Sequence, residues 1–379
     1  MVNSQHVAII AGEINAKKQQ IQSAIELLDG GDTVPFIARY RKEATGGLDD
    51  TQLRQLEERL GYLRALDERR ETILAAIDEQ GKLTESLQQA ILSADTKTRL
   101  EDLYQPYKKK RQTKAQKARL AGLEPLLQQI IEQPAADESA LAAAFVQSEG
   151  DDESLHVVDV DAALEGARHI ALEDLGEDAD LIQDLRDWLW AEGVVIAQVM
   201  KGQENDQKAA RFKDYFDFSE AINKIPSHRM LALLRGRNEG VLSLNIDHAD
   251  VLNEAMTIHP ALGRLVKHTN WDIEQSAWLK RTLELAWSAK LQLKLNLQLM
   301  SQLREQSDEA AIQIFNRNLK DLLLAAPAGG KVTLGLDPGF RTGVKTVVID
   351  GNGKLLDTAV IYPHAPQKQG EQAKQVLVK

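Results

Sequence analysis

The chain reads as a mainly α-helical protein that closes on a short β-rich segment, and three observations carry that reading. Apolar residues recur at three- and four-residue spacing through most of the first 325 positions. Runs rich in β-branched and aliphatic residues gather at 332–336, 344–349 and 355–362, with Gly-rich turns between them. The length of 379 residues exceeds what one core usually holds, so two to three domains are expected.

The first helices follow from Ile9, Ile10, Ile14, Ile21, Ile25 and Leu28, and Asp29-Gly30-Gly31-Asp32 ends that pattern. Val34-Pro35-Phe36 opens a third helix, which Arg39, Arg41 and Lys42 make basic before Thr45-Gly46-Gly47 breaks it. Leu48-Asp49-Asp50 offers an N-cap for a longer helix through Leu53, Leu56, Leu60, Leu63 and Leu66. Short helices joined by Gly turns give this part a helix-turn-helix-like look. Residues 83–103 read as one further helix capped by Thr84.

At Tyr104-Gln105-Pro106-Tyr107 the character changes. Lys108, Lys109, Lys110, Arg111, Lys114, Lys117 and Arg119 follow with no acid among them. Each cation that neutralises a phosphate releases counterions, so such a cluster can bind nucleic acid without reading its sequence. Tyr104 and Tyr107 are candidates for stacking on an unpaired base. Arg39, Arg41 and Lys42 are candidates for further phosphate contacts, against the plainer reading of salt bridges to Glu43, Asp49 or Asp50.

Residues 134–154 read as an Ala-rich, acidic connection, and 157–190 return to helical periodicity. The formal net charge is -11, yet 135–193 hold 17 acids against Arg168 and Arg186, a net of -15. The remainder is therefore -11 minus -15, or +4, which suits a polyanionic partner better than the total suggests. Within 237–246, Gly240 and the alternation of Val241, Ser243 and Asn245 predict a turn and a short strand in a helical region. From Asp272, a candidate N-cap, to Ala325, two long helices are expected to meet near 291–299 and to serve as a strut. The five leucines that alternate there lack β-branched neighbours, which favours helix.

In the β-rich segment Asp350-Gly351-Asn352-Gly353 should close the second and third strands as a hairpin. Asp337 then stands at the end of the first strand, and its chemistry is open at this level. It could ligate metal in an RNase H-like nuclease, sit beside a nucleotide phosphate as in actin-like ATPases, or cap a tight turn. His156, His169, His228, His248, His259 and His268 never fall into a metal-ligand spacing with carboxylates, so no metal and no cofactor is expected.

Five stretches together resemble the Tex family of bacterial transcription accessory proteins. They are VPFIARYRKEATGGLDD (34–50), LEDLYQPYKKKRQTKAQKARLAGLEPL (100–126), DYFDFSEAINKIPSHRMLALLRGRNEGVL (214–242), NLKDLLLAAPAGG (318–330) and LGLDPGFRTGVKTVVIDGNGKLLDTAVIYPHAP (334–366). The last is similar to the start of that family's YqgF-type, RNase H-like domain. The resemblance implies a helical N-terminal domain over 1–134, a second helical region with a short strand over 135–271, connecting helices over 272–330, and an incomplete YqgF/RNase H-like domain over 331–379. In the family the pattern continues into helix-hairpin-helix elements and an S1 RNA-binding domain, so the chain is expected to stop inside the YqgF-type domain.

The expected function is that of a nucleic-acid-binding transcription accessory factor without chemistry of its own, with RNA or single-stranded DNA as partner and the transcription machinery as a second. The alternative is a metal-dependent nuclease or resolvase using Asp337. Only Asp350, Asp357 and Glu371 supply further carboxylate side chains after it, too few and too scattered for a two-metal site. No apolar run approaches the roughly 20 residues that span a bilayer, so no membrane partner is expected. The start MVNSQHVAII lacks a basic region followed by an apolar one, and with zero cysteines the expectation is a reducing cytoplasm.

Overall fold

The computed structural model describes residues 3–108, 112–147, 155–204, 208–253, 256–326, 329–339 and 342–378. It is mainly α-helical with two small antiparallel sheets, and the chain divides into two compact units, Met1–Ser307 and Asp308–Lys379.

The first unit begins with α1 (Ser4–Glu13), α2 (Lys18–Asp29) and α3 (Val34–Tyr40), which pack on α4 (Asp50–Asp78). Asp49 caps α4 as its sequence predicts, accepting from the Gln52 amide while the Gln52 side chain accepts from the Asp49 amide. At 29 residues α4 is about 44 Å long, enough to serve two cores. Leu53, Leu56, Leu60 and Leu63 close a first core with Ile10, Ile21, Ile25 and Ile37. Leu66, Ile73 and Ile77 close a second with Ile91, Leu100 and Leu103 from α5 (Glu85–Ser93) and α6 (Lys97–Tyr104).

Thr84 caps α5, but the single helix expected over 83–103 is broken. Thr96 accepts from the Arg99 amide and restarts the chain as α6. Arg70 explains why the break is stable: its guanidinium donates to the Ala94 carbonyl (2.9 Å) and to the Ile91 carbonyl (3.2 Å), which also accepts from the Ala94 amide.

A third and larger core runs from Ala115 to Leu303. It gathers α7 (Lys114–Leu120), α8 (Glu124–Glu132), α9 (Glu138–Ala143), α10 (Val160–Glu177) and α11 (Ala179–Glu192) against a sheet of β1 (Gly193–Val199), β2 (Asp217–Ala221) and β3 (Leu242–His248). The sheet order is β2-β1-β3, antiparallel throughout. Of these strands the sequence announces only β3. In β1 the buried Val194 and Val195 follow α11 without a turn, so a short apolar run there reads as well for helix as for strand.

After α12 (Ser227–Asn238) and α13 (Pro260–Thr269), α14 (Ala277–Ala286) is capped by Ser276. Asp272, the expected cap, instead accepts from the amides of Glu274 and Gln275 in the preceding turn. A π-helical turn, Trp287–Leu291, joins α14 to α15 (Gln292–Leu323). The two long helices expected here are instead a ten-residue α14 that runs without a break through the π-helical turn into α15, and that turn lies at the start of the leucine-rich stretch. Leu291, Leu295 and Leu299 are fully buried, whereas Leu293 and Leu297 are 63% and 66% exposed. The alternation is one helical face of period four overlaid on exposed leucines.

The second unit contains the end of α15 and a meander of β4 (Thr333–Gly339), β5 (Gly343–Ile349) and β6 (Leu355–Ile361), followed by α16 (Gly370–Val378). Asp350 Oδ1 holds the amides of Asn352 and Lys354, and Gly353 takes φ +81°, the turn chemistry that the sequence specifies. One detail is corrected: β4 runs on through Pro338 to Gly339, so Asp337 lies inside the strand, paired in register with Lys345. A proline is tolerated because β4 is an edge strand.

Candidate nucleic-acid interface

The basic segment starts where α6 unwinds into a 3-10 turn, Gln105–Tyr107. Tyr104 and Tyr107 pack half-buried against the second core. Arg69 and Lys108 lie over the Tyr104 ring at 5.4 and 5.6 Å, and Gln80 donates to the Tyr107 carbonyl at 3.0 Å. These rings thus serve the fold rather than standing open as base-stacking platforms.

Lys108 is ion-paired to Glu101 at 2.7 Å, and Arg69 binds the other oxygen of the same carboxylate. The hydrogen bond from Arg69, against an opposing push from burial and with help from Lys108, holds the Glu101 carboxyl below its ordinary range. Arg119 is likewise engaged by Glu173 (2.8 Å), Asp174 and Glu124 (3.5 Å). Burial raises the Asp174 carboxyl despite Arg119, while the acids around Arg119 keep its guanidinium charged against burial. Two of the seven expected cations are therefore compensated by acids that the linear run does not show. Lys109, Lys110 and Arg111 lie outside the described residues.

What stays open is the face of α7. Thr113 and Gln116 form a capping box that fixes the start of this helix. Ala115 and Ala118 point into the core, and Lys114 and Lys117, three residues apart, project together into solvent. Neither has a carboxylate partner among the described residues. Of the earlier cations, Arg39 and Lys42 are exposed and unpaired among the described residues, while Arg41 lies over the Phe36 ring at 5.3 Å and 3.8 Å from Asp32. The expected partners Glu43, Asp49 and Asp50 are not used, and Asp50 instead binds Arg54.

Part of the acidic stretch caps helices or pairs with cations. Asp137, Asp159 and Asp178 cap α9, α10 and α11. Asp180, Asp184 and Asp178 bind Arg99, Arg264 and His268.

Sequence reasoning missed a buried ion cluster. Asp102, 2% exposed, meets Arg186 and, at 2.9 Å, Lys294, so α6, α11 and α15 are tied together. The signal available was phase alone, since Asp102 stands beside Leu100 and Leu103 on the inward side of α6.

The carboxylates around Asp337 do not converge. Asp337 is exposed and opposite Lys345, Asp350 is held by the turn amides, Asp357 pairs in register with Val348, and Glu371 binds Lys374. No group of three His, Asp or Glu side chains suited to a metal occurs among the described residues, so this arrangement does not fit the two-metal site of an RNase H-like nuclease. No described helix is long and apolar enough to cross a membrane.

Comparison with known proteins decides the family. Residues 4–78 match the Tex-like protein N-terminal domain, 133–315 the Tex central region-like family and 331–379 the Tex protein YqgF-like domain. The chain belongs to the Tex family. It is 50% identical over 374 residues to Protein tex of Bordetella pertussis, covering 96% of this chain and 46% of that protein. It is 49% identical over 356 residues to the transcriptional accessory protein Tex of Neisseria gonorrhoeae, covering 94% and 46%. The human S1 RNA-binding domain-containing protein 1 is 28% identical over 384 residues, 100% of this chain and 38% of its own length. This Tex chain thus spans about half the length of the bacterial relatives it matches.

Proposed function

We propose that this Tex chain is a nucleic-acid-binding transcription accessory factor that performs no chemistry itself, with RNA or single-stranded DNA as its partner. The observation that carries the reading is the paired, exposed and carboxylate-free Lys114 and Lys117 on α7, directly after the basic run 108–111. Support comes from the name of the gonococcal relative, a transcriptional accessory protein, and from that of the human one, an S1 RNA-binding domain-containing protein. The phosphate-binding residues narrow to Lys109, Lys110, Arg111, Lys114 and Lys117, with Arg39 and Lys42 as a secondary patch. Lys108 and Arg119 hold the segment in place through Glu101, Glu173 and Asp174. Cytoplasmic residence fits such a role.

The test is a titration of a labelled single strand with wild type and with Lys109→Glu/Lys110→Glu/Arg111→Glu in rising salt. Reversing three phosphate-contacting charges should weaken binding by at least about tenfold and flatten the salt dependence. An affinity and slope equal to wild type would reduce the run to a solvated loop. Incubation of the bound strand with Mg²⁺ or Mn²⁺ should leave it intact, and cleavage lost in Asp337→Asn would put the nuclease reading first.

A further inference from the structure

We infer that the groove between α7 and α10, lined by Lys114, Lys117 and His169 and flanked by Lys290, seats backbone phosphates of the nucleic acid. The inference rests on the function proposed above and extends it from a basic loop to a built surface with residues far apart in sequence.

The groove has a volume of about 260 Å³ and is bounded by Lys114, Lys117, Gly166 and His169, with Glu165 as the one carboxylate among the described residues of its wall. Gly166 lets α10 come close: a Cβ there would run into Leu123 Cδ1 and touch the Ala118 methyl at 3.4 Å. This close crossing brings His169 up to the two lysines of α7. From the other side the π-helical turn delivers Lys290, exposed and without a carboxylate partner among the described residues, and its Cβ lies 3.8 Å from where a Gly176 Cβ would stand. Arg168, next along α10, donates to the Thr282 hydroxyl (3.2 Å) and lies 5.0 Å over the Trp278 ring, with Glu165 as the acid that acts on its charge.

The opposing charges are few. Glu165 is 3.7 Å from His169, whereas Glu173 and Asp174 on the same helix are taken by Arg119. Arg281 of α14 is paired with Glu284 at 3.0 Å, and His156 forms the groove's remaining titratable wall. Lys114, Lys290 and Arg168 therefore act on the imidazole against Glu165, and Lys117 lines the same groove. Burial, and after it the charge of Lys114, with smaller pushes from Lys290 and Arg168, depresses the His169 pKa against the pull of Glu165. A phosphate seated among them would reverse that balance and draw a proton onto the imidazole, so binding should take up a proton and tighten as pH falls.

The experiment uses the full chain and a fluorescein-labelled 20-nucleotide uridine RNA. Lys290→Glu should weaken binding by about five- to tenfold at moderate salt, and reduce the slope of log K against log salt by about 0.7 for each phosphate no longer neutralised. Lys290→Gln should show the same change at smaller size with no cost to the π-turn. Wild type should bind about three- to tenfold more tightly at pH 6 than at pH 8, His169→Gln should reduce that pH dependence, and His156→Gln added to it should remove what remains. If both Lys290 variants and His169→Gln behave as wild type while the 109–111 triple variant loses affinity, the groove is overturned and the basic loop stands alone. If the wild-type chain binds no RNA, the proposed function falls and the groove with it. If poly-glutamate displaces the RNA as efficiently as unlabelled RNA does, the surface recognises acidic polypeptide and the phosphate assignment is wrong.

Discussion

Asp102 shows how much of this fold rests on single buried charges. Its carboxylate receives Arg186 and Lys294 while Gln298 accepts from Arg186 at 3.0 Å, so every member is partnered. Asp102→Ala would leave two cations facing one another in the packed seam of α6, α11 and α15. We predict a loss of about 3–5 kcal/mol in urea unfolding, the range for a broken buried pair. Glu101, one residue earlier, is more exposed and makes a different prediction. Its folded pKa is depressed, first by the Arg69 hydrogen bond, so its contribution is present above the ordinary carboxylate value of about 4.3 and is lost as pH falls through the folded value. Glu101→Gln should therefore flatten the acid limb of the stability profile and leave its shape above about pH 6 unchanged, which a series of urea melts from pH 3 to 7 would read.

At the level of elements, several caps and turns are legible because they depend on residues two or three apart, although Asp272 gives way to Ser276 at α14. Asp49, Thr84 and the Asp350 turn all do what their local sequence specifies. What was not legible depends on distant partners. Thr96 restarts a helix because Arg70, 24 residues before Ala94, can cover the carbonyl left behind there. Likewise β1 becomes a strand by pairing with β2 on one side and β3 on the other, both later in the chain. The candidate site divides the same way. Lys114 and Lys117 were visible in the run, but the pairing of Arg119 with Glu173 and Asp174, 54 and 55 positions away, was not. Gly236 tests the packing behind that sheet. A Cβ on this residue of α12 would meet Leu242 Cδ1 at 2.5 Å and Phe212 Cδ1 at 3.2 Å. Gly236→Ala should cost about 1–3 kcal/mol from overpacking, even though alanine is the better helix former by about 1 kcal/mol. A thermal melt no lower than wild type would show that α12 and β3 can part freely.

For the whole molecule, the two units differ in how well their apolar surface is covered. In the second, Ile312, Phe315, Leu322 and Leu323 of α15 are 52% exposed or more, and Leu334, Leu336, Leu355 and Leu356 leave the meander 49–55% exposed. Such a unit has little buried area to hold it closed. Limited trypsin digestion should cut first within 308–379, before any site in Met1–Ser307. The trimmed chain should keep its RNA affinity, because Lys114, Lys117, His169 and Lys290 all lie in the first unit. Binding by such a surface is electrostatic, so the quantity to measure is the slope of log K against log salt for a single-stranded RNA. With at least three phosphates neutralised on the α7 surface, the slope should be about −2 or steeper. A slope near zero, or no binding at low salt, would rule out a phosphate-contacting surface on this chain.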